Sequence, residues 1–263
     1  PSVLATIQDR AVQKQFLDRL GLPQAAWATF TDDAELAAAL GRIGAPAIIK
    51  ARRAGYDGKG QARVEHADGA AAAWHHIGSP PATVEALVRF AREISVVLAR
   101  GVDGQVAIYP IAENVHRRHV LHTTRAPAPM APAQRANAER IATTIAAALD
   151  HVGVMAVEMF ELPDGALLVN EIAPRTHNSG HYTFGACATS QFEQHVRAVC
   201  GLPLGDPRQL TGAVMINLIG EDILAWSEIA ATPGSFFHHY GKKDVRPGRK
   251  MGHVNRLLTA AQG

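Results

Sequence analysis

Apolar and polar residues alternate along the chain with two periods, one typical of helices and the other of strands. Apolar residues spaced three or four apart predict helices at 10–20, 32–40, 134–149 and 191–199. Asp32 with Glu35, and Ser190 with Glu193, have the spacing of capping boxes, which satisfy free N–H groups at a helix start. Gly201 is placed to end the last of these helices.

Shorter runs that are rich in β-branched and aromatic residues predict the strands. They lie at 47–50, 83–90, 94–100, 105–112, 154–160, 166–172 and 214–218. Turn-forming residues at 101–104 and 163–165 separate neighbouring runs by hairpin lengths, so these runs are expected to pair antiparallel. The pattern predicts an α+β fold of antiparallel sheets with helices, and not a regularly alternating parallel sheet.

Composition narrows the class of protein. The chain has 263 residues, of which 47% are hydrophobic and 19% are charged, as expected of a folded domain with a sizeable core. No apolar run approaches the roughly 20 residues of a membrane span, and no signal peptide is apparent, which predicts a cytoplasmic protein without a membrane partner. The cysteines, Cys187 and Cys200, form no CxxC pair and are expected to be buried thiols.

Positive charge is concentrated near the end of the chain, although the formal net charge is only +2. Between 242 and 256 the only acidic residue is Asp244, and the basic residues are Lys242, Lys243, Arg246, Arg249, Lys250 and Arg256. Pro247 and Gly248 predict a tight turn that would bring Lys242 and Arg249 towards one phosphate group. A solvated basic face is the alternative. A nucleic-acid partner is not expected, because no aromatic residues are interleaved with the cations.

A glycine-rich loop follows the strand that ends at Lys50. The loop, Gly55 to Gln61, reads GYDGKGQ. Glycines let backbone N–H groups approach an anion closely, and lysine adds a mobile positive charge. The loop therefore predicts a cover over phosphate groups. Its spacing matches neither a Walker A loop nor a dinucleotide fingerprint, so a plain flexible turn remains the alternative.

Two glutamates flank the turn at 163–165. If Asp164 and Gly165 form a two-residue turn, the strand pairing places Glu158 directly opposite Glu171. Like charges in that position destabilise a hairpin unless a cation lies between them, so the pattern predicts a magnesium site. Asn170 can join it only at a strand end or bulge. The alternative is a longer turn with one glutamate in solvent.

A dense polar loop follows Glu171. Arg175, His177 and Asn178 occur together at a strand end, where they could hold a small oxyanion by charge-assisted hydrogen bonds. His177 and His181 also have the i, i+4 spacing of helical zinc ligands. Zinc is the poorer interpretation, because it requires another ligand and Gly180 weakens a helix there.

Taken together, these segments resemble a known family. GYDGKGQ, VEMF, NEIAPRTHNSGHYT and VRPGRKMGH, in this order, are similar to 5-(carboxyamino)imidazole ribonucleotide synthases, which are ATP-grasp ligases of purine biosynthesis. The resemblance runs from 8 to 255. It implies an ATP-grasp domain over 1–203, with a lid subdomain at roughly 25–100, and a small β-rich C-terminal subdomain over 204–263. Family members carry an N-terminal nucleotide-fold domain before the position of Pro1. We expect this chain to lack that domain, which leaves its activity by itself open.

The resemblance also implies roles for individual residues. The segment 85–88 would face adenine and Glu93 would bind the ribose hydroxyls. Magnesium would be held by Glu158 and Glu171 with Asn170. The catalytic set would be Arg175, His177, Asn178 and Lys59, and the ribonucleotide would contact Tyr56, Asp57, Arg175, Lys242, Lys243 and Arg249. The full set for ATP is Arg10, Lys50, Gly55, Tyr56, Asp57, Gly58, Lys59, Gly60, Gln61, Glu85, Ala86, Leu87, Val88, Glu93, His116, Asn170 and Glu171.

The reaction implied by the family begins with attack of bicarbonate on the γ-phosphate of ATP. The carboxyphosphate formed then transfers its carboxyl group to the amine of aminoimidazole ribonucleotide, directly or through carbon dioxide. ATP and Mg²⁺ are the expected cofactors, and the expected assembly is a homodimer. Thr176 departs from the family, which usually has proline there. Another ATP-grasp bicarbonate or carboxylate ligase, and a nucleotide-binding fragment without catalysis, are the alternatives.

Overall fold

In the computed structural model, which describes residues 2–53 and 59–258, the helices α2 (Arg10–Arg19), α3 (Asp33–Ile43) and α7 (Gln191–Val199) begin at capping side chains. Asp9 accepts hydrogen bonds from the N–H groups of Ala11 and Val12 at the start of a helix. Asp32 and Ser190 cap helices as expected, since Glu35 N–H donates to Asp32 at 2.8 Å and Glu193 N–H donates to Ser190 at 3.2 Å. The return half of the predicted capping boxes differs, because Glu35 Oε2 accepts from Thr31 N–H and Glu193 Oε1 accepts from Arg197 Nε. These local signals therefore placed the helix starts correctly.

The chain forms two compact units, of which the first contains residues 1–91 and 160–170. Its four-stranded antiparallel sheet has the order β1-β4-β2-β3. Leu36, Leu40, Ile49, Trp74 and Phe30 pack in its core. The elements are α1 Ser2–Ile7, α2 Arg10–Arg19, β1 Trp27–Phe30, α3 Asp33–Ile43, β2 Ala47–Ala51, β3 Gln61–Val64, α4 Ala70–His76 and β4 Ala82–Ala86.

The second unit contains residues 92–159 and 171–263. Its strands belong to a nine-stranded sheet with the order β10-β9-β5-β7-β8-β11-β13-β12, in which β6 pairs with β5. The tip of the hairpin formed by β9 and β10 is grouped with the first unit. The elements are β5 Arg92–Arg100, β6 Val106–Ile108, β7 Ala112–Arg117, β8 Val120–Ala126, α5 Pro132–Ala148, β9 Gly153–Glu161, β10 Leu167–Ala173, α6 Thr183–Ala186, α7 Gln191–Val199, β11 Ala213–Ile219, α8 Trp226–Ala231, β12 Ser235–His239 and β13 Lys250–Leu257.

The predicted α+β class is confirmed, with corrections to single elements. The strand predicted at 83–90 ends at Ala86, and the run at 105–112 is divided between β6 and β7 around Pro110, which has no N–H to donate to a strand. The segment after 230 forms the paired strands β12 and β13, which the pattern missed. Cys187 is buried as expected, but Cys200 is exposed. The predicted division at 203 remains a prediction.

The turn between β9 and β10 is longer than predicted. Leu162 N–H donates to the Ala166 carbonyl, and Gly165 N–H donates to the Leu162 carbonyl, each at 2.8 Å. The loop therefore contains three residues, 163–165, with Gly165 in the left-handed region at φ 84. The predicted two-residue turn is wrong. A loop with one extra residue shifts the strand pairing by one position. The length of the turn by itself therefore does not place Glu158 directly opposite Glu171.

Among the residues that the structure describes, every helix is too short or too polar to span a lipid bilayer.

Candidate functional site

In the first unit, a buried carboxylate lies between two lysines. Glu85 on β4 pairs with Ile48 of β2, so Lys50 lies diagonally from it on the same face of the sheet. Lys50 Nζ is 3.0 Å and Lys14 Nζ, from α2, is 3.1 Å from the same oxygen, Glu85 Oε2. The side chains of Lys14 and Glu85 are only 1% and 4% exposed. The Lys14–Glu85–Lys50 triad is thus largely shielded from water.

The triad is held in a charged state. Burial by itself would raise the pKa of Glu85, but the charges of Lys50, Lys14 and Arg10 outweigh burial and lower this pKa to about 2. Burial lowers the pKa of Lys14, and the nearby Glu85 carboxylate opposes that shift. One ionised carboxylate beside several cations leaves an excess of positive charge, which favours an anionic ligand.

Arg10 adds to this positive region at the start of α2. Its backbone N–H donates to the Arg52 carbonyl at 2.9 Å. The preceding residue, Asp9, binds Arg52 through distances of 3.0 and 2.8 Å and Arg53 at 3.2 Å. Within the described part of the chain, the buried Nε of Arg10 has no hydrogen-bond partner. A buried guanidinium N–H without a partner can donate a hydrogen bond to an anionic oxygen of a ligand.

The centre of the glycine-rich loop, Gly55, Tyr56, Asp57 and Gly58, lies outside the described residues. Its flanks are well defined, because Ala51 N–H donates to the Gly60 carbonyl at 2.7 Å. Lys59 and Gly60 form a turn into β3, where Gln61 pairs with Lys50. The described residues on either side of the loop are therefore paired with one another next to Lys50.

The segment predicted to face adenine, 85–88, leaves the sheet directly after Ala86. Ala86 N–H donates to the Ala26 carbonyl at 2.9 Å, and Leu87 N–H donates to the Pro46 carbonyl at 3.1 Å. Val88 is half-buried and follows in irregular structure. The role of these residues remains a prediction.

In the second unit, Glu93 and His116 form a close pair. Glu93 on β5 is aligned with Asn114 of β7, which places His116 diagonally from it. His116 Nδ1 lies 2.9 Å from Glu93 Oε2, and both side chains are half-buried. Burial lowers the pKa of His116, but the hydrogen bond and charge of Glu93 more than offset burial, so the net shift of this pKa is upward. The pair can present both an acceptor and a donor to a polar ligand.

The two glutamates of the predicted metal site influence one another. Glu158 on β9 is half-buried, whereas Glu171 on β10 is exposed. Burial and then the charge of Glu171 raise the pKa of Glu158 to about 7. The carboxylates therefore lie within electrostatic reach, despite the corrected turn. Asn170 is half-buried beside Glu171 in the chain, and its participation remains a prediction.

His177 adjoins this carboxyl pair. Its Nε2 lies 3.4 Å from Glu158 Oε1. Burial, followed by the charges of Arg175 and Lys250, lowers the pKa of His177 to about 3. His177 is therefore neutral at physiological pH. The contact between its ring and the Glu158 carboxyl group is a contact with an uncharged imidazole, and not an ion pair.

Gln191 holds the backbone of His177. His177 N–H donates to Gln191 Oε1 at 3.0 Å, and Gln191 Nε2 donates to the His177 carbonyl at 2.7 Å. A Cβ at Gly180 would meet Gln191 Oε1 at 2.5 Å, so only glycine leaves room for this clamp. The sequence pattern missed Gln191, which lies on α7 and carries no motif signal.

Other loop side chains also have defined partners. Asn178 and Asn217 exchange amide hydrogen bonds of 2.9 and 2.7 Å, and Asn217 Nδ2 also donates to the Leu121 carbonyl at 2.8 Å. Arg175 Nη1 donates to the Thr176 carbonyl at 2.9 Å. The structure thus brings Arg175, His177 and Asn178 into one loop whose side chains are fixed by neighbours.

The basic segment forms the predicted turn. Arg249 N–H donates to the Arg246 carbonyl at 3.1 Å across Pro247 and Gly248, whose φ is 75. Arg249 Nη1 donates to the Asp244 carbonyl at 3.0 Å, and Lys242 Nζ donates to the Lys250 carbonyl at 2.5 Å. Lys243 is exposed. Both predicted phosphate ligands therefore contact the backbone of one loop, and phosphate binding remains a prediction.

Two lysines near these groups were given no role in the site by the sequence pattern. Lys14 lies on the buried face of α2, a position that becomes apparent only when the helix is packed. Lys250 belonged to the basic run, and its charge acts on His116, Glu158 and His177.

The oxygen donors of Glu158 and Glu171 meet the usual requirements of magnesium. The described residues contain no group of three or more His, Cys, Asp or Glu side chains that could hold a metal by themselves. Magnesium is usually held by one or two carboxylates together with phosphate oxygens and water. Glu158 and Glu171 supply oxygen ligands, and their mutual repulsion would be relieved by a cation. The set therefore fits magnesium that also binds a nucleotide.

The chain matches known proteins over nearly its whole length. Residues 15–192 match the ATP-grasp domain family, and 213–262 match the phosphoribosylaminoimidazole carboxylase C-terminal domain. An N5-carboxyaminoimidazole ribonucleotide synthase from Brucella melitensis biotype 1 is 48% identical over 259 residues, which cover 98% of this chain and 72% of that protein.

Solved structures agree with this match. A carboxyaminoimidazole ribonucleotide synthase from Aspergillus clavatus, complexed with ATP, has a TM-score of 0.92 and 33% identity, covering 97% of this chain and 69% of that one. The enzyme from the same organism with ADP and 5-aminoimidazole ribonucleotide has a TM-score of 0.91 and 32% identity, covering 98% of this chain and 71% of that one.

Glu85 and Lys50 of the triad lie on strands of the matched ATP-grasp region, and so do Glu158 and Glu171 beside His177. The resemblance noted in the sequence is confirmed by relatives that share the chain's full span and its fold. The chain belongs to the N5-carboxyaminoimidazole ribonucleotide synthases, a family of ATP-grasp ligases that carboxylate 5-aminoimidazole ribonucleotide with ATP in purine biosynthesis.

Proposed function

We propose that the protein containing this chain joins bicarbonate to the amine of 5-aminoimidazole ribonucleotide and converts ATP to ADP and phosphate. The observation that carries the proposal is the polar loop beside Glu158. Neutral His177 with Arg175 and Asn178 offers hydrogen-bond donors next to two carboxylates that repel one another. Donors for an oxyanion and ligands for a cation are both needed in phosphoryl transfer to bicarbonate.

Each unit, taken by itself, holds residues suited to one part of ATP. In the first unit, Arg10 and Lys50 provide positive charge for phosphate oxygens, and 85–88 provides backbone groups for adenine. In the second unit, Glu93 accepts hydrogen bonds from ribose hydroxyls and His116 supports it through their 2.9 Å contact. The charged triad supports this assignment, because its excess positive charge requires an anion.

Glu158 and Glu171, with Asn170, are proposed to hold magnesium. When bound, magnesium supplies positive charge to the β and γ phosphates. A bound cation would relieve the mutual repulsion of the two carboxylates and would favour the ionised form of the half-buried Glu158.

The chemistry consists of two displacements. A bicarbonate oxygen forms a bond to the γ-phosphorus while the bond to ADP breaks, which gives carboxyphosphate. The amine nitrogen then forms a bond to the carboxyl carbon while phosphate departs, and the nitrogen loses a proton. Carboxyphosphate can also release carbon dioxide before this capture. Exclusion of water protects the intermediate, which is a suitable role for Lys59 and the loop around it.

Individual roles follow from charge and hydrogen-bonding capacity. Arg175 and Asn178 orient bicarbonate and the acyl phosphate by donating hydrogen bonds, and His177 adds a donor that remains neutral. Lys242, Lys243 and Arg249 supply cations for the ribonucleotide phosphate, and Tyr56 and Asp57 complete the proposed ribonucleotide contacts. A homodimer and a cytoplasmic location are proposed from the resemblance alone.

The test is ADP release by the full-length protein with magnesium and bicarbonate, with and without 5-aminoimidazole ribonucleotide. We expect the ribonucleotide to stimulate release, with appearance of its carboxylated product. Glu171→Ala should abolish stimulation, at least about 100-fold, because a carboxylate ligand is lost. Glu221→Ala, at an exposed glutamate of the second unit, is the matched control and should retain full activity.

Two results would contradict the proposal. ADP release at the same rate with and without the ribonucleotide would exclude the proposed substrate and favour another ATP-grasp ligase. ATP binding without any turnover in the full-length protein would leave a nucleotide-binding protein without catalysis.

A further inference from the structure

A series of buried polar side chains runs through the second unit and ends at His177. Thr124 Oγ1 donates to Asn114 Oδ1 at 2.8 Å, and Asn114 Nδ2 donates to Ser95 Oγ at 3.0 Å. Ser95 Oγ donates to Ser179 Oγ at 2.8 Å, and Ser179 Oγ lies 2.9 Å from His177 Nδ1. The four residues before His177 are at most 5% exposed. Bulk water therefore does not compete with these hydrogen bonds.

Hydroxyl groups both donate and accept, so the series has two possible directions. In one direction, Ser179 donates its hydroxyl hydrogen to an unprotonated His177 Nδ1. In the other, with the Asn114 amide rotated, a protonated Nδ1 donates to Ser179 Oγ. Hydroxyl chemistry alone does not distinguish the two.

The backbone of Ser179 makes the distinction. Its N–H lies 3.3 Å from the same His177 Nδ1. A backbone N–H can only donate, so a hydrogen on Nδ1 would face another hydrogen. Nδ1 is therefore the acceptor, and the whole series runs towards the histidine.

The other ring nitrogen must then carry the hydrogen. A neutral imidazole with an unprotonated Nδ1 has its proton on Nε2. This nitrogen lies 3.4 Å from Glu158 Oε1, within the cluster proposed to bind magnesium and bicarbonate. The backbone clamp of Gln191 prevents the segment from moving away. His177 thus directs an N–H group at oxyanions.

We propose that Ser95 and Ser179 are positioning residues that hold His177 as the Nε2–H tautomer, which makes His177 a hydrogen-bond donor and not a proton acceptor during carboxylation. The inference rests on the proposed function, because it specifies how His177 serves that reaction. The proton lost by the amine must then go to a different acceptor, for which the departing phosphate is available.

The alternative interpretation is purely structural: the buried hydroxyl groups form hydrogen bonds with one another and have no effect on His177. That interpretation predicts a loss of stability in variants, with no effect on the histidine ring. The tautomer of His177 is therefore the informative readout, since it reports the direction of the hydrogen bonds.

The first experiment is long-range ¹H–¹⁵N NMR of the full-length protein labelled with ¹⁵N-histidine. His177→Gln assigns the signals, because those of His177 disappear. We expect one tautomer for His177, with the proton on Nε2 and an unprotonated Nδ1. A proton on Nδ1 in the unmodified protein would overturn the proposal, whatever the variants do.

The second experiment removes the hydroxyls. Ser179→Ala should give His177 signals of mixed tautomers and lower kcat about tenfold with KM for ATP unchanged, a typical loss for a supporting partner. Ser95→Ala should shift both readouts in the same direction but less. Ser235→Ala is the control, because its buried hydroxyl has no hydrogen-bond partner among the described residues, and it should change neither. Unchanged His177 signals and kcat in a folded Ser179→Ala protein would refute the inference.

The outcomes separate this inference from the proposed function. The NMR measurement requires no turnover. If His177 is the Nε2–H tautomer but 5-aminoimidazole ribonucleotide does not stimulate ADP release, only the substrate assignment is contradicted. Full carboxylation activity in a protein with Nδ1–H would contradict the positioning role alone.

Discussion

Glu85 in the first unit and Glu158 in the second are both glutamates withdrawn from water on strands, yet their acidities differ strongly. The pKa of Glu85 is lowered to about 2, whereas that of Glu158 is raised to about 7. Burial raises both values. The difference arises from neighbours, because Glu85 has Lys50 and Lys14 against it and Glu158 faces the charge of Glu171. Because burial acts in the same direction on both carboxyl groups, the charges of their neighbours decide the difference between the two pKa values.

The two regions therefore differ in their electrostatic character. The first region is a completed ion network whose excess charge attracts an anion. The second holds two carboxylates that repel one another, and a bound cation would relieve that repulsion. Replacement of a glutamate by an uncharged residue should therefore destabilise the first region and stabilise the second.

The largest effect is expected for Glu85→Gln. Without this carboxylate, the buried Lys14 and Lys50 lose their counter-charge, and breaking such a pair costs about 3–5 kcal/mol of the free energy of unfolding. Urea unfolding at neutral pH measures the change. Lys14→Met is the comparison and should cost less, because Glu85 keeps Lys50. An unchanged stability in Glu85→Gln would show that the triad is not structural.

Acid should weaken the same region. The pKa of Glu85 falls from 4.5 in the unfolded chain to about 2 in the fold, so its contribution is complete above pH 4.5 and lost as the pH falls to about 2. That contribution is on the order of 3 kcal/mol. Unfolding curves of the unmodified protein and Glu85→Gln, measured from neutral pH to pH 2, should converge. Parallel curves would contradict the assignment.

A smaller effect of opposite sign is expected for Glu171→Gln. Removal of one of the two repelling carboxylates should raise the metal-free unfolding free energy by less than about 1 kcal/mol at mildly alkaline pH, because the charge of Glu171 acts on Glu158. Magnesium should stabilise the unmodified protein and have less effect on the variant. Thermal unfolding with and without the ion measures both changes. A destabilised variant would mean that the two charges do not repel one another in the fold.

The smallest effect is expected on the surface. Arg197 and Glu193 form an i, i+4 ion pair of 2.8 Å on α7, and both side chains are well exposed. Arg197→Ala should change the unfolding free energy by less than about 0.5 kcal/mol, because water and salt screen the pair. Urea unfolding at low and high salt tests this expectation. A change as large as that of Glu85→Gln would contradict the role assigned to burial and partners.

Sequence reasoning succeeded for features that a few neighbouring residues control. The helix at 191–199 was predicted with its bounds because Ser190 caps one end and Gly201 follows the other. The motif loops were also recognisable, and the family match confirms the resemblance built on them. In contrast, the three-residue turn and the strands β12 and β13 were missed, since pairing with a distant strand decides them.

The chain by itself determined its helix starts, its α+β class and the family to which its motifs belong, because these depend on short-range spacing and residue type. Tertiary structure decided the chemical state of the site. Lys50 and Glu85 are 35 positions apart, and Ser95 and Ser179 are 84 apart, yet each pair is in hydrogen-bond contact. Ionisation and tautomer depend on distances of a few ångströms through a medium of low polarity, and only the folded chain establishes those distances.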